Sequence, residues 1–199
     1  MPVRPDWTDW RPGLTLFGLC LLPLLLPELA RTWLEYRRQA ILAGEFWRLL
    51  SAHFVHFSQS HAAMDGLTCL ILASGLHRMD ERRGMLLRLA ALAVAISLAL
   101  MLFAPEMEAY RGASGLAAAL AAALGLAIWR QRPAWRPVLA LLTSGLAISF
   151  GAEAVGIGFL PSSLPTGVNV AWQAHAAGFL LGLLAWWPKG WRQTGRING

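Results

Sequence analysis

Four polar side chains sit within or at the start of long apolar runs in this sequence: His61, Asp65, Ser114 and His175. A polar or ionisable group in such surroundings is costly, so each marks a candidate functional site. Serine and histidine together are the makings of a nucleophile and its base. The imidazole takes the hydroxyl proton as the oxygen attacks a carbonyl, which is the chemistry of acyl transfer. Ser114 stands in Gly112-Ala113-Ser114-Gly115. Glycines there let the backbone turn tightly beside a helix start, where unpaired N–H groups and the positive helix end stabilise a developing oxyanion. The same four residues also suit a serine that merely begins a helix, and it is His175 that favours the catalytic reading.

The elements that must carry these residues follow from composition. The chain has 199 residues, 56% hydrophobic and only 14% charged, where a soluble domain averages about 25% charged. Its charges fall in clusters between apolar runs close to the roughly 18 to 20 residues that cross a bilayer core. The chain therefore reads as an all-α polytopic membrane protein, a single domain over residues 1–199 with no room for a large extramembrane catalytic unit. Six apolar segments emerge, over about 14–29, 61–77, 85–104, 114–129, 138–150 and 168–187. The first is read as a retained span, because no small-x-small cleavage site follows it.

Positive charge orients the bundle. Arg4 and Arg11, then Arg78, Arg82 and Arg83, then Arg130, Arg132 and Arg136, and finally Lys189, Arg192 and Arg196 all fall on one side if the chain crosses six times. Cytoplasmic loops collect Lys and Arg, so both termini are expected in the cytoplasm. The net charge of +6 is thereby a topology signal, and nucleic acid is not an expected partner. One stretch runs against the pattern: residues 31–60 carry Arg31, Arg37, Arg38 and Arg48 on the outer side. Mixed with Trp33, Tyr36, Phe46 and Trp47, they suit an outer loop lying in the membrane interface. Many of the ten tryptophans, among them Trp10, Trp47, Trp129, Trp186 and Trp187, flank spans and read as interface anchors. Cys20 and Cys69 read as small buried hydrophobes.

On this topology all four polar residues lie in the outer half of the bilayer, and helix periodicity places them on faces. Ala171, His175, Gly178 and Gly182 share a face, as do Ser114, Ala118, Ala121 and Gly125. Small residues allow close helix approach, so two such stripes in contact would bring the hydroxyl towards the imidazole.

These residues and the segment before them resemble the rhomboid family of intramembrane serine proteases. Gly44-Glu-Phe-Trp47-Arg48-Leu-Leu-Ser-Ala-His53-Phe-Val-His56-Phe-Ser-Gln-Ser-His61-Ala-Ala-Met-Asp65 is similar to the stretch running from a Trp-Arg pair in the first outer loop into the second span. Gly112-Ala-Ser114-Gly115 resembles the nucleophile motif, and Ala174-His175-Ala-Ala-Gly178 the histidine motif of the last span. The compact six-span form is most similar to the rhombosortase branch. The resemblance implies a six-helix rhomboid-like bundle with a Ser114–His175 dyad, no acidic third member and no cofactor or metal. The oxyanion donors are the Ser114 N–H and the His61 side chain, Gly112 shapes the turn, and Trp47, Arg48 and His56 position the loop. It implies a bacterial inner-membrane enzyme whose site opens to the periplasmic side. Its substrates are membrane-anchored proteins with a C-terminal Gly-Gly motif, an apolar span and a basic tail. Water hydrolyses the acyl-enzyme, or an amine intercepts it in a transpeptidation.

Two residues depart from the family pattern. Asp65 replaces an asparagine four residues after His61; an ionised carboxylate accepts hydrogen bonds and donates none, so Asp65 is expected to hold the His61 tautomer, or to stay protonated through burial. Ala118 replaces the aromatic residue that stacks on the catalytic histidine, so another group must hold His175. A rival reading is an inactive rhomboid-like protein that binds transmembrane clients. A transporter is disfavoured because too few polar residues line any face. His53, His56 and His61 suggest a metal, but a zinc site wants three or four ligands with an ordered surround, and none is expected.

Overall fold

A computed structural model describes residues 10–79, 84–157 and 171–187. Nine α-helices and one two-stranded pairing are present among them: α1 Arg11–Leu21, α2 Glu28–Leu34, β1 Tyr36–Arg37, α3 Arg38–Leu42, α4 Arg48–Ser51, α5 Gln59–Met79, α6 Met85–Phe103, β2 Ala109–Tyr110, α7 Ser114–Gln131, α8 Arg136–Ala154 and α9 Trp172–Trp186. Three helical stretches are long and apolar enough to cross a membrane: Met85–Phe103, Ser114–Gln131 and Pro133–Ala154. Arg11–Leu25 is a shorter apolar helix. Its α-helical part stops at Leu21 and a 3₁₀ turn containing Pro23 follows, so the first segment ends before the expected residue 29: Pro23 and Pro27 both interrupt the backbone ladder. Arg4, Arg82, Arg83, Lys189, Arg192, Arg196 and residues 168–170 of the sixth segment lie outside the described residues.

Contacts fix the helix directions. Gly13 of α1 lies against Leu70 and Ser74 of α5, while Gly66 of α5 lies against Phe17 and Cys20, so α1 and α5 run antiparallel. Arg88 near the start of α6 sits over the ring of Trp186 at the end of α9, 5.8 Å from its centroid. Arg136 at the start of α8 donates to the Trp129 carbonyl near the end of α7 (3.0 Å). The helix starts of α5, α7 and α9 thus share one end with the helix ends of α1, α6 and α8, and Arg78, Arg88, Arg130, Arg132 and Arg136 gather at the other. Trp47, Trp129 and Trp187 are exposed as interface anchors should be, but Trp186 is only 2% exposed. Its indole fills the bundle under Arg88, so it is a core residue and the expectation for it fails. Cys20 and Cys69 are both buried and free.

The segment from residue 28 to residue 57 is an ordered cap over the first of these ends. The four arginines that ran against the charge pattern are all engaged. Arg31 pairs with Glu28 (2.6 Å), Arg37 with Glu35 (2.5 Å) and Arg48 with Glu45 (2.6 Å), and Arg38 donates to the Met101 carbonyl at the end of α6 (2.8 Å). Three carboxylates and one helix-end carbonyl thus hold the four guanidinium groups within the cap. Buried Arg48 also donates to the carbonyls of Thr32 (2.7 Å) and Glu35 (2.8 Å), and Trp47 Nε1 donates to Trp33 (3.1 Å). These bonds draw α2 and α4 together.

His53 ties the cap to α6. Its Nε2 donates to Ser97 Oγ (3.0 Å), which in turn donates to the Leu49 carbonyl (2.8 Å). Burial pushes its pKa down from an ordinary 6.5 to about 4, against a smaller opposite pull from the Ala93 carbonyl. As pH falls through 6.5 the unfolded chain takes the proton first, so stability is lost progressively between pH 6.5 and 4, about 3 kcal/mol in all. The thermal midpoint of the detergent-solubilised protein is expected to drop from about pH 7 to about pH 4.5. His53→Asn keeps a donor for Ser97 and is expected to shrink that drop; an equal drop in the variant would remove His53 as its cause.

Candidate active site

The loop before Ser114 is held from both sides. β2 pairs antiparallel with β1, Tyr36 opposite Tyr110 and Arg37 opposite Ala109. Arg111 follows directly, with Nε donating to Glu35 Oε2 (2.6 Å) and an Nη to Glu28 Oε1 (2.8 Å). Its guanidinium lies 5.2 Å from the centroid of Phe57, whose ring stacks in turn on His61. The Gly112 N–H donates to the Ala52 carbonyl (3.1 Å), and the Tyr110 hydroxyl donates to the Gly112 carbonyl (2.6 Å) while lying beside the Ser114 side chain.

Gly112 is required by geometry. Its φ is +129°, and a Cβ there would meet His61 Cε1 and Nε2 at 3.0 Å and Asp65 Oδ2 at 3.1 Å. A side chain would be strained by the backbone and blocked by α5.

Asp65 reaches across from α5. The residue before Ser114 is Ala113, which has no side chain with which to cap α7; instead Asp65 Oδ2 accepts the Ala113 N–H (2.7 Å). The same oxygen accepts from His56 Nε2 (3.2 Å) and lies 3.4 Å from His61 Nε2. Ser58 sets this geometry by accepting the His61 N–H (3.1 Å) at the start of α5, an N-cap that puts His61 and Asp65 on the first turns. The donor atoms of His56, His61 and Asp65 lie within 4.8 Å of one another, close enough to hold a metal. Both imidazoles, however, direct Nε2 at Asp65 Oδ2, and that oxygen is engaged by the Ala113 N–H. The cluster works as a hydrogen-bond cradle for the loop, with Asp65 accepting from three directions as an ionised carboxylate does. The Nδ1 atoms of His56 and His61 are buried and have no hydrogen-bond partner among the described residues.

Ser114 is the first residue of α7, and His175 lies in the first turn of α9, where its N–H donates to Ala171 (3.3 Å). The two helices touch through their backbones. A Cβ on Gly178 would collide with the Gly115 carbonyl, one on Gly182 with the Ala119 carbonyl, and one on Gly115 would sit 3.1 Å from the Ala174 carbonyl. The paired positions rise together along both chains, so α7 and α9 are parallel and their first turns are side by side. The glycine face of α9 is therefore the one that periodicity picks out. The facing row on α7 is Gly115 and Ala119, not the expected Ser114, Ala118, Ala121 and Gly125: the glycine, having no Cβ, takes the closest approach, and Ser114 is turned beside the contact instead of into it.

His175 has neighbours that sequence reasoning missed. The Phe150 ring on α8 is 5.8 Å from the imidazole, tilted by 35°. Glu153 Oε2, one turn further on, is 3.6 Å from His175 Nδ1. The sequence signal for both is the spacing of Phe150 and Glu153 on one helix face, hidden because the apolar run of the fifth segment ends at residue 150. Gln173 donates to Glu106 (3.0 Å), bridging α9 to the loop after α6.

The family model for the rhomboid domain matches residues 43–192, a span that holds the cap from α4 onward, the Asp65 cradle, Ser114, Glu153 and His175. No curated protein matches the chain.

Proposed function

The chain belongs to the rhomboid family of intramembrane serine proteases, and on that premise we propose that it is an active endopeptidase whose nucleophile is Ser114 and whose base is His175. The observation that carries this reading is the backbone contact of Gly115 with Gly178, which sets the first turns of α7 and α9 side by side. Ser114 Oγ attacks the scissile carbonyl carbon, and its proton passes to His175 Nε2. The Ser114 N–H stabilises the oxyanion, while His61, whose Nε2 is turned to Asp65, supports the loop that carries it and is not the oxyanion donor that the family resemblance implies. Collapse of the tetrahedral intermediate breaks the C–N bond, and His175 returns the proton to the departing amine. Water then attacks the acyl-enzyme by the reverse sequence and releases the acid, or an amine takes the acyl group.

The arrangement of arginines supports six crossings with both termini in the cytoplasm. The site then lies at the periplasmic end of the bacterial inner membrane. For the substrate we propose membrane-anchored exported proteins with a C-terminal Gly-Gly motif, an apolar span and a basic tail, as in the rhombosortase branch. Asp65, Gly112 and His56 hold the loop, and Trp47 and Arg48 hold the cap above it.

The test is a fluorophosphonate probe applied to the purified chain in detergent, with the adduct mapped by mass spectrometry, followed by a Gly-Gly reporter in vesicles. The probe is expected on Ser114, and product masses report whether water or an amine took the acyl group. A folded protein that neither labels at Ser114 nor cuts the reporter would leave the client-binding reading instead.

A further inference from the structure

The rhomboid pattern is a dyad, and Ala118 removes the aromatic residue that stacks on its histidine, yet His175 is not left loose. α8 brings two side chains to it from one face, Phe150 against the ring and Glu153 against Nδ1. The carboxylate is itself set in place: Oε1 accepts from Ser149 Oγ (3.3 Å), a residue one turn earlier on the same face. Oε2 is buried and has no hydrogen-bond partner among the described residues. A buried carboxylate oxygen without a donor is costly, and the donor facing it is His175 Nδ1. The separation of 3.6 Å is longer than a hydrogen bond, as catalytic contacts commonly are before substrate arrives.

We propose that Glu153 is a positioning residue for His175, completing a Ser114–His175–Glu153 arrangement. Glu153 Oε2 accepts the Nδ1–H, which fixes the tautomer that presents Nε2 to Ser114. When the hydroxyl proton moves to Nε2, the imidazolium is held by the carboxylate, which stays ionised throughout. The inference rests on the acyl-transfer reading above.

The experiment is the rate of fluorophosphonate labelling of the full chain across about pH 5 to 9 for wild type, Glu153→Gln and Glu153→Asp. Besides Glu153 on α8, the titratable groups facing His175 are Asp65 and His61 on α5, with Glu106 nearby on Gln173; α6 and α7 bring no ionisable group to this end. A neighbouring carboxylate favours the imidazolium, so its loss makes His175 a weaker base and moves the acid limb of the profile to lower pH. Glu153→Gln is expected to slow labelling at the plateau about 10- to 100-fold and to move the limb about one unit down. Glu153→Asp, which keeps the charge on a shorter arm, is expected to recover part of both and serves if the glutamine variant folds poorly. A limb that stays where it is in Glu153→Gln, or an aspartate variant no better than glutamine, overturns the inference. Wild-type labelling that does not depend on Ser114 overturns the acyl-transfer reading and this inference with it.

Discussion

Ser114→Ala and His175→Ala are each expected to reduce reporter cleavage by a factor of about a thousand or more, a loss of about 4 kcal/mol of transition-state stabilisation. The size of the effect follows from the roles. Alanine at 114 leaves no nucleophile, and water arriving in its stead lacks the aligned geometry that the first turn of α7 imposes. Alanine at 175 leaves a serine whose proton has no acceptor, and an unactivated hydroxyl attacks an amide slowly. Because the two act as a unit, the double variant is expected to fall no further than either single one. Folding is expected to survive: Ser114 is the first residue of α7 and not its N-cap, which is Ala113, and alanine is a good helix former at that position. The check is initial cleavage rate beside the thermal midpoint and helical circular dichroism of each variant. Full cleavage in either single variant, or losses that multiply in the double, would remove Ser114 and His175 as nucleophile and base.

Much of the site is readable along the chain because it is built from local patterns. Ser114 and His175 stand out as polar groups in apolar segments, and the spacing from His175 to Gly178 and Gly182 identifies the face of α9 that meets α7. The partner face is not readable, for a physical reason. With alanine at 117–119 and 121–123, α7 is small on nearly every side, so composition selects no stripe, and of its two glycines only Gly115 lies at the contact with α9 while Gly125 faces open space. The cap is harder still. β1 and β2 are two residues each, too short for any alternation, and are specified by the pairing of Arg111 with Glu28 and Glu35, residues far away along the chain.

Glu153 and Phe150 illustrate a different limit. A glutamate after an apolar run signals the end of a span by hydropathy, and that rule cuts the fifth segment short of it. The helix in fact continues to Ala154, because the carboxylate turns inward to Ser149 and His175 instead of outward to water. Asp65 misleads less, since its place one helical turn after His61 already ties it to that ring. What the sequence does not disclose is that the same oxygen also serves His56 and the Ala113 N–H, which makes Asp65 a support for the loop before Ser114 as much as for His61.

Gly178→Ala tests whether the α7–α9 contact sets the catalytic distance, and is expected to slow labelling of Ser114 about 100-fold. The added methyl group would meet the carbonyl oxygen, carbonyl carbon and Cα of Gly115. These are backbone atoms of a helix, which cannot swing aside as the end of a side chain does, so the helices must part. Gly115 adjoins Ser114, and a misplacement of about 1 Å between reacting groups is enough for a loss of this size. Overpacking of this kind also destabilises, by about 1 to 3 kcal/mol. Gly182→Ala clashes with Ala119 in the same way but one turn further from the serine. It is expected to lose comparable stability with a smaller loss of rate, because the helices can pivot about the intact contact at the active end. Gly125 on α7 has open space where a methyl group would go, with nothing within 4 Å, and Gly125→Ala is expected to leave labelling unchanged while gaining slightly in stability. Labelling rates and thermal midpoints of the three variants separate distance from stability. If Gly178→Ala labels at the wild-type rate, the glycine contact does not govern the alignment of Ser114 with His175, whereas a rate that falls far more for Gly178 than for Gly182 at equal stability locates the constraint at the first turns of the two helices.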